Sequence, residues 1–314
     1  MYAGFVENRP PVLWLTRGPE ADFSQALAAF LRHGEAKALS AQTLEWYEGK
    51  LRPFLEFARQ ASLSPSETEN HHLRAFLASL SCGPATHNGY LRALRAFFGW
   101  LHREGYLPSN PAAGLEKQKE FQRLPSALSS QQVASLLRVV NTSTWTGRRD
   151  YALYVLLLDT GLRISEALGL DLEDVNWAES TLVVMGKGRK QRQVPFGRAA
   201  KRALLKWLEA RGEIPGQSAV FVTRQGERML RRHARLQLYR HMEKARVQGV
   251  KKGPHSLRHT FATEWLRGGG DVFALQKILG HSTLEMTRRY VSLLTDDLRQ
   301  KHRLYSPMDR MLRR

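Results

Sequence analysis

The 314-residue sequence predicts a mainly α fold that carries a small β-hairpin and divides into two domains. Three observations lead there. Apolar residues recur at helical spacing in four separable stretches of residues 1–105, with no alternating run among them. Two strand-like segments, Thr181 to Met185 and Gln193 to Val194, flank a Gly-Lys-Gly-Arg-Lys-Gln-Arg turn, the pattern of a hairpin inside a helical domain. The charge is also divided: residues 1–115 carry 11 basic and 10 acidic side chains, whereas residues 116–314 carry 37 and 19. With 42% apolar residues, each part can bury a core of its own.

The four N-terminal stretches predict four helices. The first presents Phe23, Leu27, Phe30 and Leu31; the second, with Ser40 as its N-cap, presents Leu44, Tyr47, Leu51, Phe54, Leu55 and Ala58. Ser64-Pro65-Ser66 marks a loop, Leu73, Phe76, Leu77 and Leu80 a third helix, and Gly83-Pro84 the break before a fourth. That fourth helix turns Tyr90, Leu94, Phe97 and Leu101 to one side and leaves His87, Asn88, Arg92 and Arg95 for a polar face, either a nucleic-acid surface or an ordinary solvated one. The predicted division is an N-terminal extension 1–19, a helical domain 20–112, a linker 113–125 through Glu116-Lys117-Gln118-Lys119-Glu120, a second domain 126–300 and a tail 301–314. In the second domain helices are expected at 198–210, 228–247, 255–267 and 271–279.

Composition excludes several functions. No apolar run approaches the roughly 18 residues of a membrane span, and no basic-then-apolar leader opens the chain, so a soluble intracellular protein is expected. A single cysteine, Cys82, excludes an intrachain disulfide framework and a cysteine zinc site in a monomer. The formal charge of +19, almost all of it in the second domain, concentrates a polyanion. Nucleic acid fits better than anionic lipid, because the basic residues are spread through the domain and interrupted by acidic ones rather than gathered on one amphipathic helix or tail. Arg228, Arg231, Arg232, Arg235 and Arg240, on an expected helix, are candidates for phosphate contacts.

Three local runs carry chemistry. In Thr160-Gly161-Leu162-Arg163-Ile164-Ser165-Glu166, the glycine permits a change of direction and Arg163 opens a helix with Glu166 one turn on, either a positioned guanidinium or a surface ion pair. In Pro254-His255-Ser256-Leu257-Arg258-His259, three side chains share one helix face and can grip a phosphate; Ser256 occupies the place where a zinc-protease helix needs glutamate. In Leu279-Gly280-His281 through Arg289-Tyr290-Val291, a helix, a glycine turn and a second helix also fit a helix-turn-helix reader. Gly268-Gly269-Gly270 lacks the Lys-Ser/Thr of a P-loop and is expected to end one helix and turn into the next.

Taken together, the runs resemble the tyrosine recombinases, the phage-integrase family that includes the Xer-type resolvases. Arg163, His255 and Arg258 three apart, His281 and Tyr290 reproduce the family's Arg, His-x-x-Arg, His and Tyr in order, and Lys187 stands in Gly186-Lys187-Gly188 where the family keeps its lysine. The resemblance runs from about residue 20 to 300. It implies a SAM-like core-binding domain followed by an α+β catalytic domain, and a site-specific recombinase that cuts and rejoins DNA through a 3′-phosphotyrosyl link. Tyr290 would be the nucleophile, Lys187 the acid for the leaving oxygen, Arg163, Arg258 and His281 the phosphate donors, and His255 a base or further donor, with Glu166 holding Arg163. No metal, cofactor or ATP is implied. The implied partners are double-stranded DNA with inverted repeats and a homo-tetramer on that DNA, monomeric when free, with a possible accessory DNA-bending or directionality protein and no membrane. The implied location is the bacterial cytoplasm at the nucleoid. Arg189, Lys190 and Arg192 are expected to contact DNA beside Lys187. Leu293, Leu294 and Leu298 resemble the family's docking C-terminal helix. Two other readings remain at this stage: type IB topoisomerase-like strand relaxation, and a regulator that binds DNA on the same fold without cutting it.

Overall fold

In a computed structural model, residues 22–119, 127–186, 191–280, 302 and 306–312 are described. Lys187, Arg189, Lys190, His281, Tyr290 and the three tail leucines lie outside them. The chain divides into two compact units, 1–122 and 123–314, and each is taken by itself.

The first unit contains the four expected helices: α1 (Phe23–Ala36), α2 (Ala41–Gln60), α3 (Asn70–Ser79) and α4 (Pro84–Arg103). The Ser40 side chain accepts from the Thr43 amide and starts α2. Gly83 and Pro84 start α4, whose first turn has no use for the missing proline N–H. Phe23, Phe30, Phe54, Phe97 and Phe98 bury their rings in a chain of edge-to-face contacts 5.3 to 6.3 Å apart. The expected polar face of α4 is partly interior, because α4 is the helix the others wrap. His87 and Asn88 are buried, and Asn88 exchanges two 2.9 Å hydrogen bonds with the backbone of Gln118. Arg95 donates to the Leu115 carbonyl, and Leu115 itself is buried. The stretch through Gln118, expected to be linker from residue 113, is therefore pinned onto α4 and belongs to the first unit.

The second unit is built around α6 (Trp145–Thr160), whose Leu153, Tyr154, Leu156 and Leu157 are all but sealed from solvent. It packs on α8 (Arg198–Arg211) and α10 (Pro254–Arg267); α5 (Ser130–Arg138), α7 (Ile164–Gly169), α9 (Arg231–Lys244) and α11 (Val272–Leu279) surround this pair of contacts. The capping box of Ser129 and Gln132 starts α5, a helix the apolar pattern alone did not reveal. Three strands, β1 (Val175–Asn176), β2 (Thr181–Met185) and β3 (Gln191–Pro195), form an antiparallel sheet in that order, with Thr181 opposite Pro195 and Met185 opposite Gln191. The second hairpin strand is thus longer than its two apolar-flanked residues implied. Gln191 and Arg192 lie on β3 rather than in the turn. The helix expected from residue 228 begins at Arg231, since Arg228 pairs in extended form with Val222 and Met229 donates to Phe221. Gly268 ends α10 and Asp271 caps α11, so the glycine run is a helix-to-helix turn.

Candidate active site

Gly161 ends α6 with a left-handed backbone (φ 63°), its amide still donating to Leu157. A Cβ there would stand 2.3 Å from the Phe261 ring and 2.7 Å from Leu279, so no larger residue fits. The chain reverses, passes buried Leu162, and places Arg163 as the cap of α7. The Arg163 amide donates to Glu166 Oε2 and its Nη1 to Oε1, both at 2.8 Å. This capping arrangement replaces the free surface ion pair that the spacing alone also allowed: Glu166 is buried, while Arg163 stays about one-third exposed at 32%. Burial alone would raise the Glu166 carboxyl. Hydrogen bonds from Arg192 and the Arg163 amide, the charge of Arg192 and the hydrogen bond from the Arg163 side chain outweigh it and hold the group ionised below its usual range.

Arg258 comes from α10 and is 5% exposed. Its Nη1 donates to the Gly161 carbonyl at 2.7 Å and its Nη2 to that of Leu279 at 2.8 Å. One turn earlier His255 reaches solvent, its ring 6.5 Å from that of His259. Partial loss of hydration lowers the His255 pKa, and the nearby charges of Arg258, Arg163, Lys251 and Arg235 lower it further. Arg258 is tied to the Gly161 carbonyl, two residues before Arg163, and the charges of both arginines act on His255, so three of the expected six site residues form one cluster. Lys187, His281 and Tyr290 lie outside the described residues. The described hairpin nevertheless reaches the cluster, since Met185 and Gly186 line a depression of about 410 Å³ together with Arg163, Ser165 and Glu166.

The residues expected to meet DNA fall into two sets. Arg92, Arg231, Arg232 and Arg235 are exposed, and Arg235 is the one that adds its charge at His255. Arg228 instead donates to the carbonyls of Leu168 and Leu170 and pairs with Asp171, which corrects its assignment to an outward phosphate contact. His87 and Asn88 are buried, which corrects their assignment to a DNA-facing surface, whereas Arg95 donates to the Leu115 carbonyl and stays exposed. Arg192 is corrected in the same sense: its fork grips Glu166 and the Ile278 carbonyl. Sequence spacing could not reveal this, because Arg192 and Glu166 are 26 positions apart. Lys251, missed in the sequence, adds to the field at His255. Among the described residues no group of three or more His, Cys, Asp or Glu is gathered to hold a metal, and no helix is long and apolar enough to cross a membrane.

Comparison with known proteins finds relatives that span residues of both units. Residues 126–296 match the phage integrase family and residues 27–105 match the phage integrase N-terminal SAM-like domain. Tyrosine recombinase XerC of Pelobacter propionicus is 36% identical over 281 residues, covering 87% of this chain and 92% of the relative. The XerC of Pseudomonas aeruginosa is 37% identical over 273 residues, 85% of this chain and 89% of the relative. Among solved structures, the XerH site-specific recombinase bound to a palindromic difH substrate after cleavage aligns with a TM-score of 0.74 at 23% identity, covering 90% of this chain and 84% of that one. A lambda integrase dimer bound to a core site aligns at 0.68 and 19% identity, covering 84% and 96%. At these identities the structural matches speak to the fold.

Proposed function

The chain belongs to the phage integrase family of tyrosine recombinases, and from that premise we propose that it cleaves and rejoins DNA at a specific site through a covalent 3′-phosphotyrosyl intermediate. The observation that carries the reading is the cluster of Arg163, His255 and Arg258, drawn from two elements 92 positions apart and held by buried partners. Such a cluster does what an ion would otherwise do at a phosphodiester. Two guanidiniums donate to the non-bridging oxygens and neutralise the charge that builds as phosphorus becomes five-coordinate.

The steps follow from residue types. The Tyr290 hydroxyl, with an ordinary pKa near 10, attacks phosphorus and forms the new P–O bond as its proton leaves to His255, which lost hydration and then its cationic neighbours keep neutral and able to accept. The bond to the 5′-oxygen breaks with its electron pair, Lys187 protonates that oxygen, and His281 donates to the phosphate. The phosphotyrosyl link keeps the energy of the broken bond, so a 5′-hydroxyl from a second strand closes the cycle with neither ATP nor metal. Arg92, Arg189, Lys190, Arg231, Arg232 and Arg235 supply backbone contacts along duplex DNA. Inverted repeats, four subunits on two paired sites and an accessory bending or directionality protein complete the proposal, in the cytoplasm of a bacterium, as befits a protein whose XerC relatives are bacterial.

The test is covalent trapping. On a nicked site DNA that loses a short fragment after cleavage, the protein becomes linked to DNA and Tyr290→Phe does not, although it still binds the site. An adduct from Tyr290→Phe, or none from the unsubstituted protein, overturns the proposal.

A further inference from the structure

We infer that Arg192 is a positioning residue for strand cleavage, fixing the Glu166 carboxylate that holds Arg163 and restoring the positive charge which that carboxylate would otherwise cancel. The inference rests on the strand-transfer reading above and adds a residue to it.

The geometry is that of one carboxylate filled by four donors. Oε1 of Glu166 accepts from Nη1 of Arg163 at 2.8 Å and Nη1 of Arg192 at 3.1 Å. Oε2 accepts from the Arg163 amide at 2.8 Å and Nη2 of Arg192 at 2.9 Å. A carboxylate offers about four lone-pair sites, so this one has none left to permit a second orientation. The Arg192 side chain is 14% exposed and Glu166 5%, against 32% for Arg163. The two inner groups are thus the frame, and Arg163 is the member that faces outward.

Charge gives the same answer. Arg163 with Glu166 alone would present an incoming phosphate with a neutral pair at close range, a poor stabiliser of a phosphorane. Arg192 makes the group two cations to one anion, so the outward guanidinium works with a net positive charge. Lysine could supply the charge and not the fork, since three coplanar donors to Glu166 and Ile278 need a guanidinium.

The third donor extends the frame. Arg192 Nε donates to the Ile278 carbonyl at 2.8 Å, near the end of α11. Gly280 then turns with φ 63°, and a Cβ on it would stand 3.1 Å from the guanidinium carbon. The glycine lets β3, α7 and the exit of α11 meet on a single side chain. A residue that only braced the fold would need no charge matched to the outer arginine.

The experiment compares two substrates at saturating DNA: the ordinary scissile phosphodiester, and a methylphosphonate in which one charged non-bridging oxygen is replaced by methyl. Arg192→Met is expected to slow adduct formation on the phosphodiester by about 10- to 100-fold, the rate equivalent of weakening a charge-assisted hydrogen bond. Site binding should stay near that of the unsubstituted protein, and the defect should nearly vanish on the methylphosphonate, which no longer needs its charge neutralised. Arg192→Lys should fall between the two, and carries the same comparison should the methionine variant fail to fold. Equal defects on both substrates, or no defect on either, overturn the inference. Absence of any adduct from the unsubstituted protein overturns the strand-transfer reading first, and the inference with it.

Discussion

Arg258 donates to the carbonyl oxygen of Gly161 at 2.7 Å, tying α10 to the end of α6 across 97 positions of sequence. With its second bond to Leu279 it closes the carbonyl ends of two helices, α6 and α11, where partial negative charge gathers. Arg163, the other guanidinium of the cluster, makes no comparable tie and leans on Glu166, which has Arg192 as well. The two arginines therefore differ in what their loss does to the fold.

Arg258→Ala is expected to destabilise the protein markedly, because each buried carbonyl left without a donor costs about 1–3 kcal/mol. Arg163→Ala should change stability much less, as Glu166 keeps a cationic partner. Urea unfolding of the two variants beside the parent checks this. A midpoint for Arg258→Ala at or above that of Arg163→Ala contradicts the strut.

Gly161→Ala is a sharper probe of the same corner. The added methyl would meet Phe261 and Leu279 at under 3 Å on a backbone that already has φ 63°. Overpacking costs about 1–3 kcal/mol, and the left-handed conformation about 1–2 more. Gly169→Ala, where a Cβ meets nothing within 4 Å, is the control and should be near neutral or better. Thermal unfolding that moves both variants equally sets the packing argument aside.

What the sequence made legible follows from the range of each interaction. Ser40, Gly83-Pro84, Gly161 and the 268–270 turn act within a few residues, and the structure has each doing what its local chemistry required. Arg163 and Glu166, three apart, were readable as a pair for the same reason. His87 and Asn88 were misplaced because helical spacing gives faces, not neighbours: whether a face of α4 is wet depends on what wraps it. A basic side chain in a basic stretch looks solvated, so the sequence points Arg192 and Arg228 toward DNA. Their partners, Glu166 at 26 positions and Asp171 at 57, are set only by tertiary packing.

Acidity should weaken the folded state through His255. Its pKa lies below the ordinary 6.5 in the folded protein, first through lost hydration and then through the cations Arg258, Arg163, Lys251 and Arg235. Between that lowered value and 6.5 the unfolded chain binds more protons, so stability is intact above the window and falls as pH drops through it. His255→Gln should flatten this slope without abolishing it, because His241 and His33 are shifted in the same direction. Unfolding curves above and below pH 6.5 test it. A slope unchanged in the variant means that His255 takes up its proton as readily folded as unfolded.

The leaving-group acid is the assignment that depends most on one side chain. β2 ends at Met185, Gly186 lines the depression that Arg163 faces, and Lys187 is the next residue in the chain. Arg189, Lys190 and Arg192 crowd the same hairpin, but a guanidinium holds its proton too tightly to act as an acid near neutral pH, which leaves Lys187 and Lys190. If Lys187 protonates the 5′-oxygen, Lys187→Ala should slow cleavage by about 100- to 10,000-fold, the range for losing a general acid. Replacing the bridging 5′-oxygen with sulfur removes the need for that proton, since a thiolate departs without one. Cleavage by Lys187→Ala should then recover, while Arg163→Ala stays slow on either substrate because the phosphate charge still has to be neutralised. Recovery by Lys190→Ala instead, with Lys187→Ala nearly silent on the oxygen substrate, moves the acid three residues along the hairpin.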